Sequence, residues 1–537
     1  MKHFWLILLL ATLAQAAPKE KAAKAVKAKE PGTWFQYSDR CFACHNSIYT
    51  PSGEDVSIAP LWRASMMANS SRDPYWQAGV RRESMDHPGS AKHIEDECAK
   101  CHMPASRYEA KLNGQEGQVF AHLPFDLDNP ASKLAAEGVT CSVCHQIEKT
   151  NFGERSSFVG GFKVDPETPP GKRVAYGPYK IEAGHARVMN SSSTFKPTES
   201  AHIRQSELCA TCHTLITHTL GPKGESLGEF PEQMPYQEWL HSDFKETKSC
   251  QACHMPVIQE ETPITRVFGE PRKDSARHIF IGGNFFMQKM LSRYRGELKV
   301  SALAAELDAA AARTVQHLQN ETVKVSIEKV EQRDGRVRAE IAVANLGGHK
   351  LPTGYPARRL WLHVTVRDAA GKLVFESGKP KADGSIAGND HDETDTGYEP
   401  HYREITQAGQ VQIYESVMLD AQSQPTTGLL KAFRYGKDNR LLPKGFNKAT
   451  ADKEIAPVGD AFGDPDFTGQ GDRIVYSVAV PDTAAAYRVE AELWFQPIGY
   501  RWAANLRAYD AEETKRFTRF YDSMSSGSAL RLATASR

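Results

Sequence analysis

The sequence predicts a multidomain protein, with a mostly α-helical or irregular region over residues 33–298 followed by an antiparallel β-sandwich-like domain over 321–537. Three observations carry this expectation. All ten cysteines lie between Cys41 and Cys253, and every one belongs to a C-x-x-C-H frame. The Ala-rich stretch 299–320 carries Leu303, Leu307 and Leu318 among its apolar positions and predicts a connecting helix. Beyond it cysteine disappears and apolar/polar alternation takes over, the period of half-buried strands.

Taken in chain order, the first segment is "MKHFWLILLLATLAQAAPK": Lys2 and His3, an apolar run from Phe4 to Leu13, then Ala14-Gln15-Ala16. A basic start, a short apolar run and an A-x-A site predict a signal peptide over 1–16, cleaved after Ala16. The run is about half of the roughly 20 residues a membrane span needs, so the expectation is an exported chain with no span after cleavage. Residues 17–32 are an Ala/Lys-rich leader without apolar bulk. Within 33–298, "APLWRASMMANSS" has Leu61, Ala64, Ser65 and Ala68 at helical spacing before a break at Asp73-Pro74, and turn clusters such as "DHPGS" and "PETPPGK" interrupt the rest. After 321, "TVKVSIEKVEQRDGRVRAEIAVAN" reads as strand, turn and strand around Asp334-Gly335, and "RLWLHVTVRDAAGKLVFESG" repeats that layout around Ala370-Gly371. "RIVYSVAV" and "YRVEAELWFQPI" supply further strands.

Lys plus Arg and Asp plus Glu both number 66, so formal net charge is zero. No bulk field draws the chain to nucleic acid or to an anionic membrane, and partner choice must rest on local patches.

The five frames are Cys41–Cys44–His45, Cys98–Cys101–His102, Cys141–Cys144–His145, Cys209–Cys212–His213 and Cys250–Cys253–His254. Histidine is only 19 of 537 residues, so its recurrence directly after every second cysteine is not chance. Structural zinc closes a tetrahedral shell from paired motifs, and five equal units do not divide into pairs. Ten cysteines are too sparse to staple a chain of this length with disulfides. C-x-x-C-H is the attachment pattern of haem c: two thiols form thioethers to the vinyl groups, and the following histidine binds the iron. The expectation is five haem c groups with His45, His102, His145, His213 and His254 as proximal ligands. Their porphyrins would supply apolar surface that the cysteine-bearing region lacks.

The second axial ligand decides between carrier and enzyme, because two protein ligands leave no position for substrate. His87, His122, His202, His278 and His349 are the candidate distal ligands, with His218 and His241 as alternates; His93, His185 and His317 are left without that role. Met66 and Met67 offer a thioether instead. "GNDHDETD" (388–395) and "GDAFGDPDFTGQGD" (459–472) cluster carboxylates as calcium loops do, but without EF-hand spacing they read as solvated loops.

The segments "SELCATCHTLITHTLG", "PYQEWLHSDF", "SCQACHMP", "RHIFIGGNFFMQKML" and "GGHKLPTGYPARRLWLHVTVRDAAGKLVFESG" together resemble bacterial multihaem cytochromes c with a C-terminal β domain. The haem part of that group is similar to the tetrahaem cytochromes of nitrifying bacteria. The resemblance implies electron transfer in the periplasm or at the cell surface, with redox proteins as partners: other cytochromes or quinol-linked membrane oxidoreductases. The alternative is a multihaem reductase or oxidase of a small nitrogen or sulfur compound. Every frame ends in histidine and no C-x-x-C-K exists, which favours the carrier.

Overall fold

The computed structural model describes residues 34–481 and 486–537. The expected signal peptide and leader lie outside the described residues.

Up to residue 298 the chain consists of short helices separated by long irregular segments. One of the longer helices, Pro74–Asp86, begins as its sequence dictates: Asp73 accepts N–H bonds from Tyr75 and Trp76, and Pro74 fills the first turn, where no N–H is needed. The expected helix through Ala68 is instead confined to Ile58–Arg63. Asn69 explains the difference, because its side-chain amide donates to the carbonyls of Arg63 and Ser65 and so competes with helix continuation. Four strands also occur here that alternation did not announce. β1 (Arg173–Gly177) pairs with β2 (Phe195–Glu199) in parallel, and β3 (Leu215–Leu220) pairs with β4 (Ser226–Gln233) antiparallel.

The connecting helix runs Ala304–Glu321, and the Glu306 carboxylate caps it by accepting the Leu303 N–H at 2.9 Å. Next, β5 (Val323–Arg333) and β6 (Arg336–Asn345) form a hairpin whose turn residues Asp334 and Gly335 have φ of 53° and 69°, the left-handed pair that a two-residue turn requires. The remaining strands are β7 (Arg359–Asp368), β8 (Leu373–Ser377), β9 (Glu404–Ile405), β10 (Ile413–Tyr414), β11 (Ser416–Leu419), β12 (Pro425–Thr426), β13 (Arg434–Asp438), β14 (Asp472–Ala479), β15 (Tyr487–Gln496) and β16 (Leu530–Ser536). They build a four-stranded sheet β5-β6-β14-β9, a five-stranded sheet β10-β7-β15-β16 with β8 on β7, and a small sheet β12-β11-β13. The arrangement is not wholly antiparallel, since β9 joins β14 in parallel.

Alternation sets the packing. Leu360, Leu362, Val364 and Val366 of β7 face Ile341 and Val343 of β6 and Ile474 of β14 in one core, while Trp361 points the other way against Ile413 and Trp494. That core does not stop at residue 321, for it continues into Phe230, Phe285, Phe286 and Leu291. A helix that periodicity did not single out, Glu512–Asp522, returns to the N-terminal region: Glu513 pairs with Arg81 at 2.8 Å and Phe517 packs on Tyr75 at 4.9 Å between ring centroids.

Candidate functional site

A single connected cavity of about 1130 Å³ runs through the region before residue 298, and residues of all five C-x-x-C-H frames line it. The frames sit on helical turns, among them Cys141–Cys144, Cys250–His254 and the end of Ala91–His102. Cysteines three positions apart on a helical turn share one face, so both thiols can reach one flat group.

The imidazoles are set for a metal. His45 Nδ1 bonds to the Ile264 carbonyl at 2.6 Å, His102 to Ser70 at 3.1 Å, His145 to Tyr176 at 2.5 Å and His254 to Ile281 at 2.5 Å. A carbonyl accepts only from N–H, so Nδ1 carries the proton and the Nε2 lone pair is left for a ligand; metal-binding histidines are oriented in this way. Burial keeps these rings neutral, pushing His102 and His254 down to about 4.

Contacts between cysteines order the frames in space. Cys41 lies beside Cys141, Cys101 beside Cys212 and Cys209 beside Cys250. Cys144 and Cys212 pack against the same apolar cluster. The first frame therefore neighbours the third, the third neighbours the fourth, and the fourth touches both the second and the fifth.

The candidate distal ligands divide. His278, His349 and the alternate His218 line the cavity, as do Met66, Met67 and His93. His278 Nδ1 bonds to the Ala276 carbonyl at 3.1 Å and His349 Nδ1 to that of Lys350 at 3.0 Å, which again leaves Nε2 available. The ring of His349 lies 6.1 Å from that of His254 between centroids, with planes 16° apart. His87, His122, His202 and His241 lie off the cavity lining. Both nitrogens of His202 are engaged, Nδ1 with Ser200 Oγ at 2.6 Å and Nε2 with the Ile147 carbonyl at 2.8 Å. His241 Nδ1 meets the Gln237 carbonyl at 2.9 Å, and burial lowers His122 beside Glu95. His87 Nε2 is buried without a partner. Of the remaining two, His185 stacks near Phe268 and His317 sits 3.4 Å from Glu321.

Sequence reasoning missed the residue that holds the His349 loop. Glu238, in the helix Pro235–Leu240, accepts from the Lys350 N–H at 3.1 Å and the Thr353 hydroxyl at 2.5 Å, and pairs with Arg440 at 3.0 Å. Arg440 and Lys350 both hold Asp438, at 2.8 and 2.7 Å. Its segment "PYQEWLHSDF" carries part of the family resemblance, but nothing in the sequence marks Glu238 itself.

The acidic loops are solvated only in part: Asp390, Glu393, Asp395, Asp460 and Asp466 are exposed, whereas three of their carboxylates are not. Asp392 is buried against Arg359 at 2.7 Å, and Asp464 and Asp472 are buried beside His401, because each has a basic or hydrogen-bonding partner to offset desolvation. These three last side chains lie close enough to share a cation, with ligand atoms within 4.8 Å of one another. However, His401 Nδ1 faces the side-chain amides of Gln412 and Asn439, whose orientations are fixed by backbone partners. The proton is thus on Nε2 toward Asp464, the wrong tautomer for a metal there.

The fold sets helical turns carrying C-x-x-C-H around one cavity joined to a β region, and its likeness to a solved structure supports a relationship to multihaem c-type cytochromes. It is similar to the crystal structure of a penta-heme cytochrome c552 from Thermochromatium tepidum, with a TM-score of 0.54 and 16% sequence identity over 95% of this chain and 100% of that one. No family model matches the chain, and no curated protein does. Among the described residues no helix is long and apolar enough to cross a membrane.

Proposed function

We propose that this chain is an exported pentahaem c-type cytochrome that carries electrons between redox proteins of the periplasm or cell surface. Haem c in this setting supplies one-electron ferric/ferrous chemistry. The chain's own residues attach it through the ten frame cysteines, bind iron through His45, His102, His145, His213 and His254, and order the five sites by the cysteine contacts described above. The neighbouring frames give a route from the first through the third to the fourth, where it branches to the second and fifth.

The observation that carries the reading is the pairing of His254 with His349. Two imidazoles that held one metal between their Nε2 atoms would have ring centroids roughly 6 Å apart. Their separation is 6.1 Å, and the near-parallel planes fit that pose. Glu238 and Asn345, which donates to the His349 carbonyl at 2.7 Å, hold the donor loop across the junction with the β region. His278 is the second distal ligand best supported by placement and by its Nδ1 bond.

The test is His349→Ala on the intact holoprotein, with the mass showing five haem increments. One of five haems should become high-spin and bind carbon monoxide on reduction, while the parent protein binds none. An unchanged low-spin spectrum in the variant would defeat the axial assignment. Carbon monoxide binding by the parent, with turnover of nitrite, hydroxylamine or a sulfur oxyanion, would replace the carrier by a reductase.

A further inference from the structure

Arg358 and Arg359 are adjacent at the start of β7 and have opposite surroundings. Arg359 makes a two-pronged pair with Asp392, at 2.7 and 2.9 Å, which balances its charge inside the β region. Arg358 points into the cavity. Its Nη1 donates to the Thr353 carbonyl at 2.7 Å and its Nη2 to Asn284 Oδ1 at 3.2 Å, both neutral acceptors. No carboxylate among the described residues pairs with it. Burial is the one influence acting on the group, and it lowers the guanidinium only to about 10, so the charge persists at neutral pH. Arg358 is half-buried where it lines the cavity, and a partly desolvated cation without a counter-charge is costly. The space is kept by sequence: Gly354 has φ of 77°, and a Cβ there would lie 3.2 Å from Arg358 Nη1.

We infer that Arg358 is the receptor for a carboxylate inside the cavity, and that this carboxylate is a propionate of a haem held by the frames that line it. The inference rests on the haem reading above. A guanidinium offers a planar fork of donors that matches a carboxylate, and the cavity is where the only carboxylates not supplied by the chain would lie. The paired charge holds the propionate ionised, and the positive charge favours the reduced state of the nearest haem. Arg358 acts as a positioning residue in this sense, since it touches the cofactor's edge and not the iron.

The experiment is a redox titration of the holoproteins with Arg358→Gln and Arg358→Lys, each first shown by mass to carry the parental number of haems. In Arg358→Gln, one midpoint potential should fall and become pH-dependent near neutrality, because an unpaired buried propionate takes up a proton as its haem is reduced. Arg358→Lys should keep most of the parental value. Potentials and pH slopes identical to the parent in Arg358→Gln would overturn the inference. So would a parent whose spectrum or potentials respond to added nitrite, sulfite or sulfate and lose that response in Arg358→Gln, because the guanidinium would then receive a diffusible oxyanion. A parent without covalent haem would defeat the haem reading itself, which is a separate outcome.

Discussion

Inside the β region, Leu360, Leu362, Val364 and Val366 are wholly buried against other side chains. In the region before residue 298, His102 and Cys144 are only half-buried, because they border a cavity of about 1130 Å³, and the apolar clusters around them are small and separate. The difference teaches what each part needs in order to fold. Each β-region side chain contributes about 1.5–3 kcal/mol by leaving water for protein contacts, and nothing outside the chain is required. The cavity walls forgo those contacts until a large apolar group fills them.

The most severe way to test that contrast is to make the chain where haem attachment is absent. Trypsin should then cut throughout 34–298 and leave a resistant fragment starting near the Ala304–Glu321 helix, whereas the holoprotein should resist over both. Cleavage spread evenly through both parts would show that the core shared by Phe285, Leu291 and Val343 couples them into one folding unit, and would break the comparison.

A smaller effect is expected where the two regions are riveted together. Glu238 takes bonds from Lys350, Thr353 and Arg440, all in the β region or the loop leading to it, and its side chain is 0% exposed. Glu238→Ala leaves Arg440 and Lys350 with Asp438 alone and an unfilled acceptor site, at a cost of about 3–5 kcal/mol by analogy with other buried pairs that lose one partner. Thermal unfolding should show that loss, and the spectrum should change at one haem, the one the His349 loop serves. A stability loss with an unaltered spectrum would mean that the loop keeps its place without Glu238.

The two regions were also unequally legible. β5 to β7 were readable because Val337, Ala339, Ile341 and Val343 alternate with polar neighbours, and Asp334-Gly335 names its own turn. The frames were readable because C-x-x-C-H recurs five times with the same spacing, whatever the surrounding fold. Which histidines close on a frame was not, since the His349 ring meets that of His254 across nearly a hundred residues of sequence, and no sequence window separates it from His202 or His241. Asp392, Asp464 and Asp472 misled for a related reason: their partners Arg359, His401 and Tyr414 come from other strands and loops, so a sequence window shows only the acid.

Asp472 gives the finest test, confined to the β region and independent of haem. Its Oδ2 accepts from Tyr414 at 2.7 Å, while Oδ1 is buried without a partner, 3.9 Å from His401 Nε2. Burial raises this carboxyl to about 7, with the Asp464 charge pushing the same way. A raised carboxyl binds its proton more tightly in the folded state than in the unfolded chain, where its value is about 3.9. Stability from this group is therefore fully present below about pH 4 and is lost as pH rises through about 7, because ionisation then leaves a desolvated charge. Asp472→Asn keeps the acceptor for Tyr414 and removes the ionisation. The variant should match the parent at pH 4 and exceed it above pH 7 by an amount on the order of 1 kcal/mol or more, with the gain developing across the interval between. The measurement is a pH series of thermal unfolding followed by the β-sheet circular dichroism signal. A constant offset at every pH would assign the effect to packing rather than to the proton on Asp472.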